Sequence, residues 1–305
     1  MKMMEEALIG IVLVNYNSAE DTIECIESLK KMMYSNYKII VADNSSSDYS
    51  LEALYKKKNE TDFELLELDE NRGFSAGNNA GIRLALELGV EYVLLLNNDT
   101  LVEPDFLKKL MEAGRVIPAN SVMTSTILYA YDKEKIWYAG GSYNLRTAKV
   151  SQFGMGKGWL PEQDKPVEVT FASGCCMCIP ASVIQDVGFL DECYFLYEED
   201  TDYCHRLWQK MIQIYYVPNA IIYHKVSSST SKTKKISGIT QYYMIRNKYY
   251  FIKKYYKGCR KIIPYIHSFV MYSYYCLRYG AKVKYIVWGI CDFWRGKMYK
   301  TNRKL

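Results

Sequence analysis

The residues best suited to chemistry sit where apolar runs stop. Leu94-Leu95-Leu96 gives way to Asn97-Asn98-Asp99-Thr100, placing one carboxylate beside two carboxamides. Oxygen donors of that kind suit a hard divalent cation. The same residue types also build a strand-to-helix turn in which Asn, Asp and Thr cap the next helix. Taken alone, the stretch supports either reading. A second polar cluster, Asp43-Asn44-Ser45-Ser46-Ser47-Asp48, follows another apolar run, and Asn71-Arg72-Gly73 opens a Gly/Asn-rich segment reaching Gly81. Further on, Glu198-Glu199-Asp200-Thr201-Asp202 concentrates carboxylates, and His224 ends a late apolar stretch. The acidic run suits a helix N-terminus, where the macrodipole favours negative charge. One of Glu199 and Asp200 can still face a crevice while the other opens the helix. Arg206 falls one turn after Asp202, the spacing of an i,i+4 ion pair.

The elements that would position these groups follow from periodicity. Residues 8–14 read as a buried strand breaking into Asn15-Tyr16-Asn17, after which Ser18 opens a helix with Asp21 as a capping-box-like partner. Strands are expected at 37–42, 63–68 and 92–96, with helices at 49–58 and from the Gly/Asn-rich run to Leu88. That β-α-β-α-β-α-β order predicts an α/β fold, a mostly parallel central sheet flanked by helices. Right-handed crossovers bring the polar strand ends to one edge, where open α/β sheets bind ligands. A helix at 106–115 and a strand at 122–129 continue the pattern. Residues 137–168, rich in Gly, Tyr and Trp, suggest a hairpin-like insertion over the crevice. A strand at 171–180, a short helix ending near Gly188 and strands at 214–217 and 220–224 complete the body. No G-x-G-x-x-G follows the first strand and no Walker-type Gly-Lys-Ser/Thr is present, which disfavours dinucleotide oxidoreductases and phosphate-loop NTPases.

The 305 residues are enough for one large or two ordinary domains, and the 49% hydrophobic and 24% charged fractions are those of a folded protein. The net charge of +5 hides an asymmetry: residues 1–224 hold 20 Lys+Arg against 33 Asp+Glu, and residues 225–305 hold 19 against one, Asp292. Nine cysteines form no paired CxxC framework, so Cys175, Cys176 and Cys178 read as buried reduced thiols rather than a zinc site. The N-terminal apolar run is about half a membrane span and follows acidic Glu5 and Glu6, against both a signal peptide and a transmembrane helix.

Taken together and in order, these motifs resemble family 2 glycosyltransferases of the GT-A fold, most closely the rhamnosyltransferase-like members of bacterial surface-polysaccharide pathways. The match runs over roughly residues 8–255. It is carried by Val12-Leu13-Val14-Asn15-Tyr16-Asn17, Val41-Ala42-Asp43-Asn44, Asn71-Arg72-Gly73-Phe74, Gly77-Asn78-Asn79-Ala80-Gly81, Leu96-Asn97-Asn98-Asp99, Ser173-Gly174, Glu199-Asp200 through Arg206, His224, and Arg246-Asn247. The resemblance implies a nucleotide-diphospho-sugar donor and inverting transfer to a hydroxyl of a glycan or lipid-linked acceptor. It implies that Val14 and Tyr16 line the base pocket, that Asp43 accepts hydrogen bonds from a uracil or thymine ring, and that Arg72, Gly73 and Asn79 lie near base and ribose. Asn97, Asn98 and Asp99 occupy the family's DxD position with the first acid replaced. Asp99 and His224 would hold a divalent metal (Mg or Mn), with Gly174 in the donor site and Asp200 as general base. Glu198, Glu199 and Asp202 would raise the proton affinity of Asp200. Rhamnose with thymidine diphosphate is the donor that the subfamily favours. Two alternatives stay open: a nucleotidyltransferase of related fold, which would release pyrophosphate, and a sugar-nucleotide-binding subunit with weak turnover.

By the change in composition, the chain is expected to divide into a catalytic domain, residues 1–240, and a basic, aromatic helical extension, residues 241–305. Basic helices with Tyr and Trp at their margins suit the surface of an anionic membrane. A helical cap on the core ranks second and nucleic acid a distant third, so no nucleic-acid partner is expected. The expected place of action is the cytoplasm, at the inner face of the plasma membrane.

Overall fold

The computed structural model describes residues 6–160, 165–226, 237–279 and 282–303. Its centre is β1 (Ile9–Asn15), flanked in parallel by β2 (Tyr37–Asp43) on one side and β4 (Tyr92–Leu96) on the other, with β3 (Glu64–Glu67) beyond β2. Ile9, Ile11, Val12 and Leu13 are wholly buried, which is why β1 reads as an unbroken apolar run rather than an alternating one. Helices α1 (Ala19–Leu29), α2 (Ser50–Lys58) and α3 (Phe74–Glu87) make the crossovers. Helix α3 lies close on β1 because Gly77 and Gly81 face it. A Cβ at Gly81 would come within 2.4 Å of Val12 and one at Gly77 within 2.7 Å of Val14.

The chain continues through β5 (Thr100–Val102), α4 (Phe106–Gly114), β6 (Val122–Tyr129), β7 (Asp132–Tyr138), β8 (Gly141–Asn144), β9 (Lys149–Gln152), β10 (Val167–Val169), β11 (Cys176–Pro180), α5 (Ala181–Val187), α6 (Glu199–Gln209) and β12 (Ile214–His224). Among the described residues the main sheet runs β10-β12-β6-β11-β4-β1-β2-β3, with β5 on β12 and β7 on β6. Strand β11 is antiparallel to both β4 and β6. The sheet order therefore reverses around β1 and β4, the switch point beside which open α/β sheets bind their ligands.

Three expectations change. The strand expected over 171–180 begins only at Cys176, because Ser173-Gly174 forms a turn whose Ser173 carbonyl accepts from Cys176 N. Residues 214–224 form one strand with a register shift between Val217 and Ile221, at Pro218, which has no N–H for the ladder. Ser18 does not cap α1 through its side chain; its hydroxyl donates to Asp21 Oδ2 at 2.9 Å. The 137–168 insertion contains the β8–β9 hairpin, whose Tyr143 packs edge-on against His205 of α6; its residues 161–164 lie outside the described residues.

The C-terminal segment forms α7 (Gly238–Tyr255), a 3-10 turn (Gly258–Lys261), α8 (Ile262–Tyr279) and α9 (Val283–Trp294). Helix α7 is a cap on the body. Its Lys254 reaches Asp191 at 2.8 Å and Asp202 at 2.6 Å, and its Phe251 packs on Tyr143 and His205. No helix among the described residues is long and apolar enough to cross a membrane.

Candidate active site

Strand β1 ends in register with β2, Asn15 beside Asp43, so both side chains emerge at the same edge of the sheet. Asp43 is buried and accepts from Asn15 Nδ2 at 2.7 Å, Ser46 Oγ at 2.7 Å and Ser46 N at 2.9 Å. Those bonds occupy three of the roughly four acceptor positions of a carboxylate, leaving about one for a ligand. Asn15 Oδ1 accepts from Thr22 Oγ1 at 2.8 Å, which in turn accepts from Asn98 Nδ2 at 2.8 Å. A continuous hydrogen-bonded relay thus ties the Asn97–Asp99 turn to Asp43 across the end of β1. Thr22 was not legible as a site residue, because in α1 it reads only as part of the buried face. Val14 packs against α3, and Tyr16, 44% exposed, stands at the rim.

The segment after β4 is fixed from two sides. Asn97 N donates to the Cys175 carbonyl, and the Asn97 carbonyl accepts from Thr100 Oγ1 at 2.7 Å. Pairing of β5 with β12 sets Thr100 opposite His224 and brings His224 Nε2 within 3.1 Å of Asp99 Oδ1. Trp137 packs edge-on against the His224 ring. Two polar atoms here are buried with no partner, Asn97 Oδ1 and His224 Nδ1. Lys225 N donates to the Asp99 carbonyl, while the Lys225 ammonium sits 2.8 Å from Asp21 and 2.6 Å from Glu24.

The third wall is the start of α6. Asp200 Oδ2 accepts from Gly174 N at 3.2 Å and Oδ1 from Thr201 N at 2.7 Å. Because Gly174 immediately precedes Cys175, the backbone that holds Asn97 also holds Asp200. Burial, first of all, raises the Asp200 carboxyl above the ordinary value of 3.8, opposed by the two N–H bonds and by Lys248. Burial also drives Glu199 well above its usual range, with Asp200 adding to the effect, and Glu199 Oε2 has no hydrogen-bond partner. The proton affinity of Asp200 thus comes mainly from desolvation rather than from neighbouring charge. Asp202 is directed elsewhere: it pairs with Arg206 at 2.8 Å, the i,i+4 contact expected, and with Lys254.

The turn entering α6 is strained. Tyr197 (φ 71°) and Glu198 (φ 74°) are consecutive left-handed residues with side chains, a conformation that needs external support. Helix α7 supplies it. Asn247 Nδ2 donates to both the Leu196 and Tyr197 carbonyls at 2.9 Å, and Lys248 reaches the buried Glu198 carboxylate at 2.6 Å. Arg246 is fully buried and donates to the Tyr299 carbonyl. In the sequence, Arg246-Asn247 was a motif without a role, since no spacing rule connects it to a turn fifty residues earlier.

Arg72, Gly73 and Asn79 converge on the loop before that turn. Asn79 is buried and exchanges hydrogen bonds with the Leu190 backbone while donating to Glu192 Oε1 at 3.0 Å; Arg72 reaches Glu192 Oε2 at 2.6 Å. Both amide hydrogens of Asn79 are therefore engaged within the protein, and its place is to hold the Leu190–Glu192 loop. Gly73 adopts φ 93°, and a Cβ there would lie 2.1 Å from the Phe195 carbonyl oxygen, so only glycine fits.

For a divalent cation, the donor chemistry fits in part. Asp99 offers a carboxylate oxygen, His224 an imidazole nitrogen, and Asn97 Oδ1 an unused buried oxygen. No group of three His, Cys, Asp or Glu suited to a metal occurs among the described residues. Two such protein ligands leave most of a coordination sphere to a bound phosphate compound.

The profile of "Glycosyl transferase family 2" matches residues 10–188. A hexosyltransferase of low-salt glycan biosynthesis from Haloferax volcanii, Agl10, is 30% identical over 213 residues, 68% of this chain; the match spans 63% of that relative's length. The dTDP-rhamnosyl transferase RfbF of Shigella flexneri is 24% identical over 251 residues, covering 80% of this chain and 79% of the relative. Among solved structures, GalNAc-T7 with UDP, GalNAc and Mn2+ superposes with a TM-score of 0.63 at 14% identity, over 90% of this chain and 58% of that one.

Proposed function

Because the chain belongs to glycosyl transferase family 2 and carries a GT-A type fold, we propose that it is an inverting hexosyltransferase. It transfers a sugar from a nucleotide-diphosphate donor to a hydroxyl of a glycan or lipid-linked acceptor in surface-polysaccharide synthesis. The observation that carries this reading is the joining of Asp43, Asn97–Asp99 and Asp200 at one sheet edge through two short backbone and side-chain relays. The donor favoured is thymidine-diphospho-rhamnose, supported by the similarity to a relative named for dTDP-rhamnosyl transfer. Work at the cytoplasmic face of the plasma membrane is supported by the basic C-terminal segment.

In this reading the base stacks beside Val14 and Tyr16 with Asp43 accepting from its ring, and Arg72 supplies positive charge near the nucleotide. Asp99 and His224 would hold Mg or Mn, which when bound supplies Lewis-acid stabilisation of the departing diphosphate. Asp200 accepts the proton of the acceptor hydroxyl as the new bond to the anomeric carbon forms and the bond to phosphate oxygen breaks. Its two oxygens keep lone pairs free beyond the bonds from Gly174 and Thr201. Attack from the face opposite the diphosphate inverts the configuration.

The test is product identity with purified protein, nucleotide sugar, Mn2+ and acceptor. Nucleoside diphosphate and glycosylated acceptor are expected. Pyrophosphate would instead point to a nucleotidyltransferase, and binding without turnover to a sugar-nucleotide-binding subunit.

A further inference from the structure

Helix α8 is apolar on its outside. Ser268 is 1% exposed on its inner face, whereas Ile262, Ile266, Phe269 and Val270 are 55–59% exposed, recurring at the i, i+4, i+7, i+8 spacing of one helical stripe. Helix α9 repeats the pattern, with Val287 48% and Trp294 66% exposed. The two helices meet where the Tyr265 ring lies 6.5 Å from that of Trp294. A contiguous exposed apolar stripe on a folded protein marks an interaction surface.

The charge around it selects the partner. Lys257 and Arg260 precede α8, and Lys282, Lys284, Arg295 and Lys297 flank α9; all six residues are exposed. The one acid of residues 225–305, Asp292, is 2% exposed and held by Arg303. The surface presented is thus apolar side chains bordered by cations with no exposed carboxylate of its own segment. A protein partner matches the apolar stripe alone, whereas an anionic bilayer matches both the stripe over residues 262–270 and the cations that precede it and flank α9.

We propose that α8, continued by the outer face of α9, lies in the plane of an anionic membrane surface, its apolar stripe among the acyl chains and its flanking lysines and arginines at the lipid headgroups. It rests on the transferase reading above only for its purpose, which is to bring the crevice to an acceptor anchored in that membrane. The helices do not cross the bilayer; binding is reversible and weakens with salt, because part of it is screened electrostatics.

The experiment is flotation of the full chain with vesicles of phosphatidylcholine alone and with about a third phosphatidylglycerol, the anionic arm that the polybasic term requires. Wild type is expected to float with the mixed vesicles at least about tenfold better than with neutral ones, and high salt should reduce the difference. Ile266→Glu with Phe269→Glu should lower flotation at least about tenfold, since charge is strongly disfavoured in the acyl region. Both positions are exposed, so melting temperature and donor-induced thermal stabilisation should be unchanged in that variant. Undiminished flotation of the double variant, or none by wild type, would overturn the proposal. A concentration-dependent dimer seen in sedimentation and abolished by the same substitutions would also overturn it, assigning the face to a second copy. Loss of flotation with donor stabilisation intact bears on the membrane face alone; loss of donor stabilisation in wild type bears on the transferase reading.

Discussion

Asp200→Asn is expected to lower the rate of sugar transfer by about 10²–10⁴-fold, the usual contribution of a positioned general base, while the nucleotide sugar still raises the melting temperature. The amide keeps the size of the carboxylate but only one of its two acceptor oxygens, so either the Gly174 or the Thr201 N–H loses its partner, and an unchanged melting temperature with retained donor stabilisation identifies the loss as chemical. The pH dependence gives a second view of the same group. Burial holds the Asp200 carboxyl above 3.8, and only the deprotonated form accepts a proton. Activity should therefore rise as pH climbs through that elevated pKa and fall as pH drops through it. Residual activity of the Asn variant should lack this acid limb. Kinetics of the two proteins across the acid range check both statements. A variant as active as wild type would remove Asp200 from the reaction.

The second large effect is expected at Lys248, in stability. Its ammonium and the Glu198 carboxylate are 2.6 Å apart with side chains only 6% and 9% exposed. Burial already raises the Glu198 carboxyl, and Lys248 opposes that rise. Removing one partner of a buried pair leaves the other charge stranded, at a cost of about 3–5 kcal/mol. Lys248→Met should therefore destabilise by about that amount. Adding Glu198→Gln should recover much of it, because the neutral amide needs no cation. Equilibrium unfolding in urea across the four-member cycle measures the coupling directly. Additive effects would mean that the two charges do not stabilise each other.

The two sites differ in how far the chain announced them. Three of the four parallel strands, β1, β2 and β4, were legible as buried apolar runs cut off by Asn or Asp, whereas β3, Glu64–Glu67, is short and only partly buried. Asp43 and Asp99 stand out in the sequence at two of those breaks, and Asp200 in the acidic run that opens α6. What periodicity could not show was the antiparallel insertion of β11 between β4 and β6, since a short buried run carries no direction. It also could not show that Thr22 joins Asn98 to Asn15, or that Asn247 and Lys248 support the turn before Asp200. These depend on contacts between residues far apart in sequence. By composition the C-terminal segment is a single basic extension. The structure divides it into α7, whose Lys254 and Phe251 bind it to the body, and α8–α9, whose outer faces stay apolar and bare. Composition averages over those two environments and cannot separate them.

The central claim is displacement at the anomeric carbon with Asp200 opposite the leaving diphosphate. Proton NMR of the product formed from an anomerically defined nucleotide sugar tests it most directly. A new glycosidic bond of configuration opposite to that of the donor is expected, formed in step with release of nucleoside diphosphate. A product that retains the donor's configuration would contradict it.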